Sequence, residues 1–512
     1  MASIFLGIME EERTNWVLHG RLPIYTTIEE FKPDETETII AEVNEALSIH
    51  ILNLFDMEYL YWYRRGFTPI YSKTKEIRPE INNKVSVNLA GPIVDFNDGY
   101  FLTQPATYIP RKGKEEVAGK VSELNEYLYR SGKHDADNEV VDWFNTVGKA
   151  DLFVRSVDDA EMPFEAYALD PRSVFVARST APGNKPVYAG YTVAKDGVLY
   201  VDVWDKRNCY RLKGTVTGKL VRPCKDYACT VTEIVEVLPN PIGEIPIVEY
   251  QYNSVWMSCF ELAMPLMDAI SQIQSDRLDG LDQAIQSLLV FYNCELGKDE
   301  EGKDITPSYV RAAGALFLKS IGENKADLKE IVTNLDQSQT QVLISNLYEL
   351  IYTICGMPST QGSFPGDSTG LAIELKDGWQ ICEMNARNTE DLFKKANRQF
   401  DRIITSILRG KGILDINLSD FELHFTRNEL RAVQSKAQAL QTMLAAGLHP
   451  TLALAKSGIS ADPVSDFEIS KGYMNLRWGD PEAKEVEEKA EENIPDETIE
   501  EGTQGAMGDG AI

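Results

Sequence analysis

Residues 262–288 read LAMPLMDAISQIQSDRLDGLDQAIQSL, and this pattern sets the plan of the chain. Apolar residues recur there every three to five positions, which predicts one buried face of an α-helix. At 1.5 Å per residue such a helix is about 40 Å long, and a single apolar stripe needs neighbours on one side only. We expect the other face to be wet, and it carries Asp268, Gln272, Gln274, Asp276, Arg277, Asp279, Asp282 and Gln283.

Two further helices are predicted after this stretch. Residues 336–355 predict a second helix, and residues 371–409 predict a much longer third one that stops at Gly410. Between the first two helices, residues 289–335 read as a small α/β insert with two short strands. Residues 356–370 contain four glycines and two prolines, which is typical of a loop between long helices. The stripes fit either a large helical core within one monomer or identical copies packed around a channel.

The flanking regions mix helices and strands, so we predict an α+β fold. Residues 35–64 have helical periodicity, and residues 150–252 are β-rich with a hairpin signal at Asp196-Gly197. Residues 413–418 and 421–425 predict two strands that return after the long helix. At 512 residues the chain is long enough for two to four domains with ample core.

The chain is strongly acidic, with a net charge of −28 and a pI near 4.7. Such a balance argues against tight DNA binding through phosphate neutralisation, although it suits a protein that DNA slides past. Residues 480–512 hold 12 acidic and 2 basic residues, and the aromatic-free segment from residue 479 predicts a disordered tail. Seven scattered cysteines indicate reduced thiols. We find no signal-peptide pattern and no membrane-length apolar run, and expect a cytosolic chain or a particle assembled in cytosol.

Motifs for catalysis are missing from the sequence. The nearest approach to a phosphate-binding loop, residues 113–121, has the wrong spacing and a valine where a hydroxyl residue is needed. The five histidines are far apart, and the carboxylate pairs Asp158-Asp159 and Glu300-Glu301 read as solvated faces. We therefore predict that the chain is no enzyme and holds neither a metal nor a cofactor.

The loop at 356–370 is the most distinctive non-helical stretch. Phe364 stands at its tip and must either tuck back against the protein or remain exposed. The two readings are an ordinary surface loop and a loop that projects to touch a ligand or polymer. Composition leaves both open.

Three stretches together resemble the portal proteins of tailed bacteriophages, in the siphophage-type branch. The first is Asn82-Asn83-Lys84-Val85 with Asn88, followed by Ile93-Val94-Asp95 and Gly99-Tyr100. The second is Met267-Asp268-Ala269-Ile270 with Gln274-Ser275-Asp276. The third, Ser368-Thr369-Gly370-Leu371-Ala372-Ile373, is similar to the family's Ser-Gly-x-Ala-Leu opening of its long helix. The chain departs from the family at Thr103-Gln104, where a glycine often precedes the proline.

The resemblance implies an α+β portal-like subunit with an α/β wing, long stem helices, a small α/β clip insert, a helical crown and a disordered acidic C-terminal tail. It also implies that Gly378 bends the long helix. The implied segments are the N-terminal arm (1–34), the wing (35–260), the first stem helix (261–288), the clip (289–335), the second stem helix (336–355), the tunnel loop (356–370), the long wing helix with its returning strands (371–427), the crown (428–478) and the tail (479–512).

In function, the resemblance implies a ring, typically of twelve copies, at one capsid vertex. Double-stranded DNA would be packaged through it by a terminase motor and later ejected, and head-tail connector proteins would attach. The implied partners are further copies of the chain, DNA, the terminase large subunit, the major capsid and scaffolding proteins and a connector or adaptor, with no membrane. The implied location is the virion, and the host cytoplasm during assembly.

The alternatives that stay open are another virion or scaffold-type interaction protein without a channel, and a cytosolic enzyme with an unrecognised site.

Candidate residues follow from the implied segments. The candidates are Ser363, Phe364, Asp367, Ser368 and Thr369 facing DNA from the tunnel loop, Lys298, Lys303, Arg311 and Lys319 contacting the motor or connector from the clip, and Lys394 and Lys395 on the long helix, which would offset the negative charge of the bore locally.

Overall fold

A computed structural model describes most of the chain, and it divides the chain into two compact units, Met1–Arg427 and Asn428–Ile512. The described residues are 20–76, 78–218, 227–285, 288–292, 294–296, 318–320, 327–331, 337–358, 379–425 and 432–460, with short pieces at 466–467, 469–471 and 473. The acidic tail at 479–512 and Gly378 lie outside them. The predicted α+β class is confirmed.

Helices and strands alternate through the described part of the first unit, and α-helices follow in the described part of the second. The helices are α1 (Thr36–Arg64), α2 (Ala90–Phe101), α3 (Ala118–Arg130), α4 (Lys133–Val147), α5 (Met264–Ile285), α6 (Gln337–Ile354), α7 (Trp379–Gly410), α8 (Ala432–Ala445) and α9 (Pro450–Ser457). The strands are β1 (Ile24–Thr26), β2 (Thr107–Pro110), β3 (Lys149–Ser156), β4 (Phe164–Leu169), β5 (Val174–Ser179), β6 (Pro186–Lys195), β7 (Val198–Trp204), β8 (Asn208–Thr217), β9 (Ala228–Pro239), β10 (Ile247–Gln251), β11 (Leu288–Tyr292), β12 (Cys294–Leu296), β13 (Leu318–Ser320), β14 (Asp327–Ile331) and β15 (Phe421–His424).

The largest sheet has the strand order β1-β5-β6-β7-β8-β9. Its last five strands form an antiparallel meander, and β1 joins the edge in parallel with β5. Asp196 and Gly197 both have positive φ, +53° and +78°, as a type I′ hairpin turn requires. Lys195 faces Val198 across that turn, so the predicted hairpin is confirmed. Helix α1 covers one face of this sheet with Ile39, Val43 and Leu47.

A second core forms where the long helix α7 lies against the three-stranded sheet β10-β3-β4. Phe393, Phe400 and Leu408 of α7 are fully buried there, together with Phe164 and Tyr250 of the sheet. These α7 residues recur at intervals of seven and eight, so they lie on one face of the helix. The sequence prediction started this helix at residue 371; α7 is described from Trp379 to Gly410.

A third core holds the base of the α5–α6 pair. Met264, Met267 and Ile270 of α5 pack with Tyr63 of α1 and Ile351 of α6, and all five are buried. A short 3₁₀ turn precedes α5, which begins two residues later and ends three residues earlier than its predicted bounds of 262–288. Between α5 and α6, β11 pairs with β14 and β12 with β13, both antiparallel.

One predicted strand is wrong. Residues 413–418 form turns and extended coil, although Leu414 and Ile416 are buried as an alternating pattern predicts. Two backbone carbonyl groups of this segment accept hydrogen bonds from side chains and not from a partner strand. Lys120 donates to the carbonyl of Asp415, and Arg409 donates to that of Ile416. The second predicted strand is present as β15, which pairs with β2.

The segment assigned to an N-terminal arm is built into the fold from residue 20 onward. Besides β1, it contributes Arg21, whose guanidinium pairs with Glu261 at 2.7 Å with both side chains fully buried. This pair ties the start of the described chain to the turn that enters α5. In the second unit, α8 and α9 form a helix pair of their own, and α9 ends at Gly458 in the left-handed conformation.

Candidate functional site

The middle of α5 is lined by an extended segment, residues 81–88, which we call the strap. Three of its backbone N–H groups donate to side chains of α5. Asn83 donates to Asp279 at 2.6 Å, Val85 to Ser275 at 2.9 Å, and Val87 to Ser271 at 3.0 Å. The strap therefore runs antiparallel to the helix as though it were an edge strand, but its partners are side chains.

We call these three regularly spaced hydrogen bonds between the strap and α5 the ladder. They can form in register because the repeat distance of the extended chain matches that of the helix. Two residues of extended chain advance about 6.6 Å, and four residues of α-helix advance about 6 Å. Every second N–H of the strap thus meets every fourth residue of α5. The serine hydroxyls are satisfied on both sides, since Ser271 also donates to the carbonyl of Met267 and Ser275 to that of Ser271.

Asp279 is the electrostatic centre of the ladder and is only 2% exposed. Lys73 contacts its carboxylate at 2.9 Å, Lys75 lies closer still, and the side chain of Asn83 donates to it at 2.9 Å. Burial alone would raise the pKa of Asp279, but these donors outweigh burial and hold its pKa far below the usual range. The lowered pKa favours the charged carboxylate, which joins the strap to α5 through Asn83 and the two lysines.

The C-terminal end of the strap is anchored by Asn88. Its side-chain amide donates to the carbonyl of Arg64 at the end of α1, and its side-chain oxygen accepts from the N–H of Ala90 at the start of α2. Arg64 in turn reaches Asp142 of α4 at 2.5 Å. One asparagine thus joins the strap to the body that carries α5.

The expectation of a wet polar face on α5 is wrong in part. Asp279 is buried under the strap, and Asp268 is half-buried and accepts from the hydroxyl of Tyr63 at 2.8 Å. Asp276, one turn before Asp279, is half exposed. Polarity alone cannot distinguish a carboxylate in water from one covered by backbone N–H groups and lysines.

A neighbouring surface of the α5–α6 pair, which we call the apolar side, is uncovered in the described chain. Leu278 and Leu281 of α5 are 42% and 53% exposed, while Val342 and Leu343 of α6 are 62% and 50% exposed. Leu350 and Ile354 continue the pattern along α6. Large apolar side chains concentrated on one helix pair indicate a surface that another protein covers.

Most of the sequence-predicted site residues lie outside the described residues. These are Ser363, Phe364, Asp367, Ser368 and Thr369 of the predicted tunnel loop and Lys298, Lys303 and Arg311 of the predicted clip. Lys319 falls in β13, where its backbone pairs with Glu295 of β12. Lys394 is held by Glu390 at 2.6 Å and lies against the ring of Phe425, whereas Lys395 is exposed.

Sequence reasoning found both halves of the ladder as separate motifs but did not join them. Asn83 and Val85 belong to the first motif and Ser275 to the second. The missed signal is the four-residue spacing of Ser271, Ser275 and Asp279, which places three hydrogen-bond acceptors in one row along the helix.

No helix in the described ranges is both long enough and apolar enough for a membrane crossing. An α+β body that presents two long helices with exposed apolar side chains has features typical of a subunit that packs against another protein. The family model "Phage portal protein, SPP1 Gp6-like" matches residues 48–495, and the chain belongs to that family.

Two solved particles contain chains similar to this one. The neck of an empty GTA particle, computed with C6 symmetry, matches with 12% identity and a TM-score of 0.40. The virion of a native gene transfer agent particle matches with 13% identity and a TM-score of 0.38. Each match covers 73% of this chain and 91% of the other. No curated protein matches the chain.

Proposed function

We propose that this portal protein forms a ring of twelve copies at one vertex of a phage capsid. Double-stranded DNA passes through the ring during packaging by a separate terminase motor and leaves through it during ejection. The observation that carries the proposal is the exposed apolar side of α5 and α6. A ring of identical copies covers that side of every subunit through the same repeated contact.

The parts of the subunit take distinct roles in this proposal. The body built on the two sheets serves as the wing, α5 and α6 as the stem, and residues 289–335 as the clip that meets the terminase and later the head-tail connector. Residues 356–370 act as a loop that narrows the bore, and residues 428–478 form the crown. The capsid and scaffolding proteins contact the ring from outside.

The net charge of −28 supports a channel rather than a clamp. An acidic wall repels phosphates, so DNA in transit is not held by the bulk of the surface. Lysines and arginines of the clip, with Lys319 in β13 among them, supply local contacts for the acidic or nucleic-acid surfaces of the motor complex.

The first experiment is negative-stain imaging of the purified protein together with a native mass measurement. We expect rings with a central hole wide enough for a duplex. Twelve copies of a 57.4 kDa chain have a mass of about 0.69 MDa. A monomer or dimer at high concentration, with capsid and scaffolding proteins supplied, would contradict the ring.

The loop proposal has its own test. Deleting residues 362–366 is expected to leave the rings intact while lowering the DNA content of assembled heads, because the loop no longer narrows the bore. Heads are assembled with the deleted and the unaltered protein, and their DNA is quantified. Equal DNA content in both preparations would refute a role for the loop.

A further inference from the structure

A basic cleft lies between the long helix α7 and the turn that connects β5 to β6. Its volume is about 370 Å³. Six cationic side chains line it, in a chain whose net charge is strongly negative; they are Arg178, Lys185, Lys206, Lys395, Arg398 and Arg402. Such a concentration of positive charge is the opposite of what the composition predicts for an average patch of this surface.

Two of these cations are neutralised within the cleft. Arg178 pairs with Glu249 at 2.5 Å, and Lys206 pairs with Glu244 at 3.3 Å. The other four, Lys185, Lys395, Arg398 and Arg402, are exposed, and none forms an ion pair with a carboxylate in the described part of the chain. The cleft therefore presents about four positive charges to whatever enters it.

The arrangement on α7 is unfavourable in an isolated subunit. Lys395, Arg398 and Arg402 follow one another at intervals of three and four, so they stand on one face of the helix. Like charges at that spacing repel one another and destabilise the helix. The nearby carboxylate of Asp401 attracts Arg398 and Arg402, but it is hydrogen-bonded to Tyr108 and Asn397 in the core and forms no ion pair with either arginine in the described part of the chain.

The walls of the cleft are fixed before any partner arrives. Gln399 of α7 donates to the carbonyl of Ile247 at 2.9 Å and to that of Ile245 at 3.4 Å. Arg178 also donates to the carbonyl of Asn184 at 3.3 Å, while its buried Nε finds no acceptor among the described residues. The backbone that carries the cations is therefore in place before a partner binds, which lowers the entropy cost of binding an anion.

We propose that this cleft receives a carboxylate-bearing element of a second copy of the chain, as a contact between neighbouring subunits. The inference rests on the proposed ring. Copies that each carry −28 repel one another at long range, so assembly needs local sites of opposite charge. A heterologous contact, in which two different surfaces meet, is the kind that closes into a ring.

Duplex DNA is the competing polyanion, and the shape of the site disfavours it. The cations line the walls of a concavity, which a protruding loop can enter and a convex duplex cannot. Acidic loops are abundant on this chain, and Asp158 and Asp159 at the β3–β4 turn are exposed examples.

The test uses charge reversal with a matched control. R398E/R402E removes positive charge from the cleft, and K112E/K195E makes the same change in net charge at two exposed lysines elsewhere. We expect R398E/R402E to reduce the yield of rings at least tenfold and K112E/K195E to leave it within twofold. R398Q/R402Q, which removes the charges without reversing them, is expected to fall between. Unchanged thermal unfolding of the unassembled variants confirms that each one folds.

A second measurement identifies the occupant. Rings assembled from equal amounts of ¹⁴N- and ¹⁵N-labelled protein are treated with a carbodiimide, which joins lysine amines to carboxylates in direct contact. We expect mixed-isotope cross-links from Lys185 or Lys395, and these name the partner carboxylate. Normal ring yield for R398E/R402E, or rings whose cleft lysines give no mixed-isotope cross-link, would overturn the inference alone.

Two further outcomes separate the possible failures. A R398E/R402E protein that assembles normally but loses a gel shift with duplex DNA would assign the cleft to DNA and overturn the subunit contact. Failure of the unaltered protein to form any ring would instead overturn the proposed function on which the inference rests.

Discussion

Two surfaces of helix α5 differ in what covers them: one is covered by the same chain, and the other is left exposed. On one side the chain covers the helix itself, with the strap donating to Ser271, Ser275 and Asp279. On the apolar side Leu278 and Leu281 are left exposed. The strap side is polar, and its hydrogen bonds form within one subunit. In the proposed ring, the apolar side is buried only when a second copy covers it. Burial of a polar group requires exact partners, but burial of an apolar one requires only area.

The difference predicts that the strap side controls the stability of the subunit and the apolar side controls its assembly. Substitutions on the strap side should act in the monomer, at any protein concentration. Substitutions on the apolar side should act only where copies meet.

The largest effect is expected from Asp279→Asn. The change leaves Lys73 and Lys75 without their buried counter-charge, and we expect it to lower the free energy of unfolding by about 3 kcal/mol. Urea unfolding of the unassembled subunit measures it. Asp276→Asn is the matched control, because that carboxylate also contacts Lys73 but is half exposed, and it should cost under about 1 kcal/mol. Equal costs for the two variants would contradict the central place of Asp279.

A smaller effect is expected from Ser275→Ala. It leaves the N–H of Val85 without an acceptor, which costs about 1 to 2 kcal/mol when the group stays dry. Gln272→Ala, at an exposed position of the same helix, should stay within about 0.5 kcal/mol. Hydrogen exchange of the Val85 amide gives an independent readout, and protection equal to that of the unaltered protein would show that the ladder does not need the hydroxyl.

The pH dependence sharpens the assignment of Asp279. Folding lowers the pKa of this carboxyl, so the unfolded chain takes up a proton first as the pH falls below about 4. The stability that the carboxylate contributes is therefore full above that pH and is lost below it. The gap in stability between the unaltered protein and Asp279→Asn should shrink by about 1 kcal/mol from pH 6 to pH 3. A gap that stays constant would mean that the carboxylate is not held charged by its neighbours.

The smallest effect on the monomer belongs to the apolar side. Leu281→Gln and Leu350→Gln, each on an exposed side chain, should change the free energy of unfolding by less than about 0.5 kcal/mol. The pair together should nevertheless abolish ring formation in native mass spectra. Stable monomers that still form rings would show that the apolar side of α5 and α6 is not the contact between copies.

Features with a local sequence signal, such as hydrophobic periodicity or a turn motif, could be predicted from the sequence. The helices around the insert, the β-rich body and the Asp196-Gly197 turn each have a local signal that the structure bears out. The strap could not be predicted, because an extended segment that pairs with side chains has neither a strand partner nor a period that distinguishes it from coil. The basic cleft could not be predicted for another reason. Its cations come from three segments that are far apart in the sequence, and only the fold brings them together.

The buried pair of Arg21 with Glu261 has a consequence for the order in which the chain folds. The two residues are 240 positions apart, and β1 likewise pairs with residues 177–179. At ribosomal rates of about 5 to 20 residues per second, Arg21 waits roughly 12 to 48 s for its partner to be made. Arg21, one of the first described residues to be synthesised, is thus secured only after about half of the chain has been made. Docking of this segment can report that the body has closed around the base of α5, before the long helix α7 is complete.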